Sequence, residues 1–247
     1  MANGRIFSIE SMGLVDGPGI RTVVFFRGCP LRCVFCHNPD SWANDGEEIS
    51  AEELMKKILR FRPYFERSGG GITCSGGEPL LQKDFLIDLL TRCKQAGIHT
   101  CLDTSGVGVG GYDEILPLCD LVLLDVKATD EREYRTLCNG ELCKTEEFIK
   151  AINRHKTPVV VRRVVIPNVN DTDEAMIALR DYVEKNLPTA IKVELLPYHK
   201  MGVYKYKALG LCDPLESTPP MDKQTTKDFQ EKYFKDCKGG TYGTQTV

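Results

Sequence analysis

The chain has 247 residues, 42% of them hydrophobic, and a formal net charge of −3. That is enough to bury one large α/β core or two small ones, and Lys and Arg are scattered among acids instead of forming the basic stripe of a nucleic-acid binder. The apolar runs are too short to cross a bilayer and the first residues lack an apolar signal core behind a basic start, so the expected location is the cytoplasm, with no membrane and no nucleic-acid partner.

In chain order, the first predicted strand is "RTVVFFRG" (21–28), rich in β-branched and aromatic residues. "GCPLRCVFCHN" follows at once and places Cys29, Cys33 and Cys36 within eight positions, with His37 and Asn38 directly behind. "SAEELMKKILRF" (50–61) opens on a capping pattern at Ser50 and Glu53 and continues at helical spacing. "GGITCSGG" is the second strand. It precedes "KDFLIDLLTRCKQAG", whose Leu86, Leu89, Leu90 and Cys93 share one helical face and whose Gly97 is a stop signal. "IHTCLDTSG", "DLVLLDVK", "VVVRRVVIPN" and "IKVELLPYH" are four further strands, separated mostly by helical segments that include 145–155 and 173–186. Near-continuous apolar strands between helices predict a parallel sheet covered on both faces, in about six β/α units. No composition shift marks a linker, so residues 1–247 are expected to form a single domain.

The chemically unusual residues fall where the predicted strands end: "RGCPLRC", "SGGEP", "DTSG", "DVK", "RR" with "PN", and "PYH". In parallel barrels and open α/β sheets, loops at the carboxyl ends of the strands build the ligand site. One composite site is therefore expected there.

Eleven cysteines are many for an intracellular chain, and the odd number leaves at least one outside any full set of disulfides. In a reducing compartment they read as metal ligands or small apolar residues. Cys93, Cys101, Cys119 and Cys237 stand singly and are expected to pack, while Cys138 and Cys143 in "LCNGELC" suggest a turn. Only Cys29, Cys33 and Cys36 cluster tightly. Three thiolates can hold a cuboidal iron–sulfur cluster by three irons and leave the fourth for a non-protein ligand. The loop by itself also allows, as the lesser alternative, a zinc ion bound by the three cysteines and His37, in a scaffold without enzymatic activity. A structural zinc, however, gives no reason for the glycines and charges at the neighbouring strand ends.

"SGGE" (75–78) can bring bare backbone close to a small charged ligand, although a tight strand-to-helix turn needs the same glycines. Asp103 and Asp125 each end an apolar strand, where an unpaired carboxylate is costly, so Lys127 or a cation is expected beside them. His199 in "LPYH" reads equally well as a surface histidine or a site residue. Cys74 is placed near the site with no role assigned.

"GPGIRTVVFFRGCPLRCVFCHN" resembles the signature of the radical-SAM activases of glycyl radical enzymes, through Gly17, Gly19, Arg21, Phe25, Gly28, the three cysteines and Asn38. The likeness continues through "GGGITCSGGEPLL", "GIHTCLDTSG", "DLVLLDVK" and "ELLPYH". It implies the partial (β/α)6 barrel of that family, with Cys29, Cys33 and Cys36 binding one 4Fe-4S cluster whose open iron is chelated by S-adenosylmethionine. Reductive cleavage would yield a 5′-deoxyadenosyl radical that takes hydrogen from a glycine Cα of a partner enzyme under anaerobic conditions. Family positions place Phe35, Cys36, His37, Asn38, Gly77, Asp125, Val126, Lys127 and His199 around S-adenosylmethionine. Asp103, Thr104, Leu123 and Asp125 match a monovalent-cation site for Na⁺ or K⁺. Asp16, His37 and Arg162 are the candidates for gripping the glycine loop. Residues 37 to 73 contain no cysteine, so the ferredoxin-like insert of many relatives is absent. With a single cluster the chain is most similar to the activases of pyruvate formate-lyase, and the resemblance implies that enzyme as the partner, a flavodoxin or ferredoxin as the electron donor, and a monomer. A radical-SAM enzyme acting on a small molecule, or on a different glycyl radical enzyme, would share the same cluster chemistry.

Overall fold

The computed structural model describes residues 2–235. In chain order the elements are β1 (Asn3–Gly13), β2 (Arg21–Phe26), β3 (Glu48–Ser50), α1 (Ala51–Ile58), α2 (Arg62–Ser68), β4 (Gly71–Gly76), α3 (Lys83–Gln95), β5 (His99–Thr104), α4 (Tyr112–Ile115), β6 (Leu121–Asp125), α5 (Glu131–Cys138), α6 (Leu142–His155), β7 (Val159–Val165), α7 (Asp173–Asn186), β8 (Ala190–Pro197), α8 (Val203–Ala208) and α9 (Lys223–Phe234). Six strands, β2 and β4 to β8, run parallel as neighbours, and these are the six read from the apolar runs. β1 and β3 extend the sheet beyond β2 in antiparallel fashion, and the sequence reading named neither. The reason is visible in β1, which alternates half-buried and exposed residues and carries no apolar run. The sheet stays open, with β3 at one edge and β8 at the other, so the parallel strands make a partial (β/α)6 barrel.

Local signals explain the helices. Ser50 Oγ accepts from the Glu53 N–H at 3.2 Å while the Glu53 carboxylate accepts from the Ser50 N–H, so α1 begins on the predicted capping box. α3 buries the predicted face, and Gly97 stops it with φ +68°. α6 starts at Leu142, three residues before the predicted segment, because Asn139 in the left-handed region turns the chain from α5 straight into it. "LCNGELC" is that turn.

Strand residues alternate between two faces of the sheet. On β4, Ile72 and Cys74 face outward into the main core with Val24, Phe26, Leu86, Leu89, Leu102 and Cys93. Cys74 is thus fully buried on the helix side of the sheet, a correction to its expected place near the site. Cys93 and Cys119 also pack in this core, while Cys101 packs inside the barrel with Leu121, Leu123 and Val160. Cys237 lies outside the described residues. The interior is closed below by Arg21, fully buried, whose Nε donates to Thr73 Oγ1 at 2.6 Å and Nη1 to the Pro18 carbonyl at 3.0 Å. Thr73 Oγ1 donates onward to the Asp16 carbonyl at 2.6 Å, which ties the "DGPG" stretch to the barrel floor. Among the described residues no helix is long and apolar enough to cross a membrane.

Candidate active site

A cavity of about 680 Å³ opens at the carboxyl ends of the parallel strands. Cys29, Cys33 and Cys36 all face it, together with Phe35, His37 and Asn38 from the same loop. Gly77 joins from the turn after β4, Asp103 and Thr104 from β5, and Asp125 with Lys127 from the end of β6. Arg162 on β7, His199 after β8 and Asp16 before β2 complete the predicted set. Two predicted residues do not line the cavity. Val126 packs into the outer core and Leu123 into the barrel interior, which leaves only their backbone groups for the site.

The donor set fits an iron–sulfur cluster. Burial pushes the Cys29 thiol up to about 12 and raises Cys36 as well, and the Lys127 charge is too weak to offset it at either sulfur. Metal ions supply the missing charge and keep coordinated thiols deprotonated. Cys33 is held below the ordinary thiol range, chiefly by a hydrogen bond from Cys138. Among the described residues no three or more His, Cys, Asp or Glu side chains gather as a single ion needs. A cube takes one thiolate at each of three irons and leaves the fourth iron for another ligand, which suits three cysteines facing one cavity.

Opposite the cysteines lies a charged lattice. Arg162 donates through Nη2 to Asp103 Oδ1 and through Nε to Asp125 Oδ1 at 3.1 Å; Lys127 Nζ donates to Asp125 Oδ2 at 3.1 Å, and Ser75 Oγ to Asp103 Oδ2 at 2.7 Å. Every carboxylate oxygen of the pair therefore has a donor. The expected partner Lys127 is in place, and Arg162 adds a second that the sequence reading had aimed at the partner loop. Burial raises Asp103 to about 6 even so, with the Asp125 charge adding to it. For Asp125 burial pushes the same way, but Lys127 and Arg162 outweigh it and hold the group below its usual value. Lys127 also lies over the Phe35 ring, 5.5 Å from its centroid. Asp16 is raised by burial, which Arg162 only partly offsets.

The glycine turn is built by contact with the cysteine loop. A Cβ at Gly77 would lie 2.2 Å from the Gly28 carbonyl oxygen, and Gly76 has φ +106°. The Gly77 N–H donates to the Phe26 carbonyl at 2.9 Å and the Glu78 N–H to the Gly28 carbonyl at 2.7 Å. With these N–H groups engaged, the turn offers a ligand carbonyl oxygen, an acceptor suited to an ammonium group. Glu78, to which the sequence reading gave no role, is fully buried beneath it. Its carboxylate accepts from Thr104 Oγ1 at 2.5 Å, from Ser105 Oγ at 2.6 Å and from the backbone N–H groups of Ser105 and Leu80. An acid placed directly after two glycines was the available signal. His37 and His199 meet edge to face with ring centroids 4.7 Å apart, and burial followed by the His199 and Lys205 charges lowers the His37 pKa.

The arrangement has known counterparts. Residues 23–179 match the radical SAM superfamily. The pyruvate formate-lyase-activating enzyme of Clostridium pasteurianum is 52% identical over 96% of this chain and 99% of its own, and that of Staphylococcus epidermidis is 41% identical over 92% and 94%. A radical SAM methyltransferase structure from Sphaerobacter thermophilus shares the fold with a TM-score of 0.62, covering 85% of this chain and 62% of its own at 16% identity. With three cysteines, a glycine turn and paired strand-end charges around one cavity, the chain belongs to the radical SAM superfamily and, within it, to the family of the pyruvate formate-lyase-activating enzymes.

Proposed function

We propose that this chain acts as a single-domain activase that generates the glycyl radical of pyruvate formate-lyase (formate C-acetyltransferase), using a 4Fe-4S cluster and S-adenosylmethionine. The observation that carries the reading is the meeting of Cys29, Cys33 and Cys36 with the Gly77 turn, Asp125 and Lys127 in one cavity. When bound, the cluster and S-adenosylmethionine supply the one-electron cleavage and the hydrogen-abstracting radical, while the protein supplies binding and orientation.

In that division of labour the three thiolates hold the cluster and leave one position open to the ligand. The Gly76–Gly77 turn presents carbonyl acceptors to the ligand's ammonium group. Lys127, a buried cation, binds a carboxylate or ribose oxygen, with Phe35, Asn38 and His199 enclosing the rest and Val126 contributing only its backbone. Asp16, which faces the cavity from the stretch before β2, and His37 hydrogen-bond the backbone of an entering glycine loop, and Arg162 joins them once freed from the two carboxylates. Its release is the task assigned to a monovalent cation, Na⁺ or K⁺, held by Asp103, Thr104, Asp125 and the Leu123 backbone. The ion would take the place between the two acids that the Arg162 guanidinium now fills, with Lys127 remaining on Asp125. The electron comes from a flavodoxin or ferredoxin, and the chain works as a cytoplasmic monomer.

Selectivity for one glycine requires its Cα within roughly 3–3.5 Å of the attacking carbon, so the target enters as an extended loop. A peptide copying the partner's glycine loop and carrying deuterium at the glycine Cα should label 5′-deoxyadenosine. Arg162→Ala should impair that transfer far more than it impairs iron content or S-adenosylmethionine binding. Label arriving from a small metabolite, and never from peptide or formate-lyase, would assign the chain to small-molecule radical chemistry instead.

A further inference from the structure

The cysteine loop follows β2 and α8 follows β8, two strands that are not neighbours in the open sheet. Their successors meet at the rim all the same. Tyr206, 3% exposed, donates through Oη to the Cys36 carbonyl at 3.0 Å. Lys205 Nζ donates to Asn38 Oδ1 at 2.7 Å and pairs with Asp40 Oδ2 at 3.2 Å. Gly202 approaches so closely that a Cβ there would lie 2.5 Å from the His37 carbonyl oxygen. The Tyr206 ring also stands edge-on to Trp42, 6.0 Å between centroids.

All five contacts fall on residues 36–42, the half of the loop that carries the last cysteine. The front half is held elsewhere: the Arg32 N–H donates to the Cys138 carbonyl at 2.9 Å and the Val34 N–H to the Leu137 carbonyl at 2.8 Å, both at the end of α5. The loop is thus suspended between two supports. The Gly28 N–H also holds the Ser41 carbonyl at 2.8 Å and Arg27 Nη1 the Asp40 carbonyl at 2.8 Å, so what α8 adds is the hold on Cys36 to Asn38, and without it Cys36 would be freer to drift from Cys29 and Cys33.

We infer that α8 is a clasp that closes the open barrel at its rim and positions the cluster loop, with Lys205 and Tyr206 as positioning residues that set where Cys36 points. The inference rests on the reading that the three cysteines hold the cluster. It assigns a role to a segment that the sequence reading left without one.

Amide hydrogen exchange on metal-free protein tests the clasp whether or not a cluster is ever found, and iron and sulfide analysis of protein purified without oxygen tests the cluster separately. In Tyr206→Phe and in Lys205→Met, the Cys36, Ser41 and Trp42 amides should exchange about five- to tenfold faster, as the loss of one hydrogen bond allows. The Arg32 and Val34 amides should keep their wild-type rates. Tyr204→Ala, an exposed position on the same helix, should change none of these rates. On reconstituted protein, iron release to a chelator should accelerate in the two clasp variants and not in the control. Unchanged exchange at Cys36, Ser41 and Trp42 in both clasp variants overturns the inference, as does an equal rise at Arg32 and Val34. Should Tyr206→Phe loosen the whole sheet, Lys205→Met, which leaves the buried Tyr206 untouched, decides by the same readout.

Discussion

The thiols at the rim are matched to a metal, and single substitutions test that match. Cys29 and Cys36 are raised by burial and gain their charge only with a cationic partner, so neither is replaceable by a hydroxyl that binds iron weakly. Cys29→Ser, Cys33→Ser or Cys36→Ser should each abolish reductive cleavage of S-adenosylmethionine and cut iron content, whereas Cys93→Ser, in the outer core, should leave both intact; full iron and sulfide in a site variant would refute the ligand assignment. Asp103 carries a second test. Burial places its titration near 6, so it is charged at pH 7.5 and largely protonated at pH 5. Affinity for an alkali-metal ion between Asp103 and Asp125 should therefore be full above that value and fall as pH drops through it, because a proton competes for the same oxygen. K⁺ titrations of S-adenosylmethionine binding at the two pH values check this, and Asp103→Asn should flatten the difference.

At the scale of elements, the turn after β4 is fastened to its neighbours by one buried acid. Glu78 collects four donors from the end of β5 and from its own turn, so its loss strands buried hydroxyl and amide groups together. Each such group costs about 1–3 kcal/mol when left unsatisfied, so Glu78→Ala should destabilise the fold by about 3 kcal/mol in urea unfolding and lower affinity for S-adenosylmethionine. A variant with wild-type stability would mean that water replaces the carboxylate freely. The clasp helix α8 and the end of α5 act at this same scale on either side of the cysteine loop. Of these devices only the glycine turn announced itself in the sequence, because glycines at a strand end mark a turn through local geometry. Glu78 was legible as a letter in a motif and not as a strut, since its partners Thr104 and Ser105 lie 26 and 27 residues away.

The whole molecule keeps its stability and its chemistry on opposite faces of one sheet. The main core lies between the strands and the helices, while the cysteines line the cavity on the concave side. Metal-free protein should therefore retain the far-ultraviolet circular dichroism of the loaded form, with a cooperative melt shifted to lower temperature by the lost binding energy; loss of helical signal on chelation would show that the cluster supports the fold. This division also separates what could be read from the chain. The sequence by itself determined the six parallel strands, the capped start of α1, the stop at Gly97, the cysteine loop and its place at the carboxyl rim. Those features follow from periodicity and from neighbours a few residues apart. Only the tertiary structure decided that Arg162 bridges Asp103 and Asp125, that Cys74 faces the helices, that β1 and β3 extend the sheet, and that Tyr206 reaches the Cys36 carbonyl. The Arg162 to Asp103 contact spans 59 residues and the Tyr206 contact 170. No local pattern encodes such pairs, because they depend on how the open barrel curves and on which side chains its rim brings face to face.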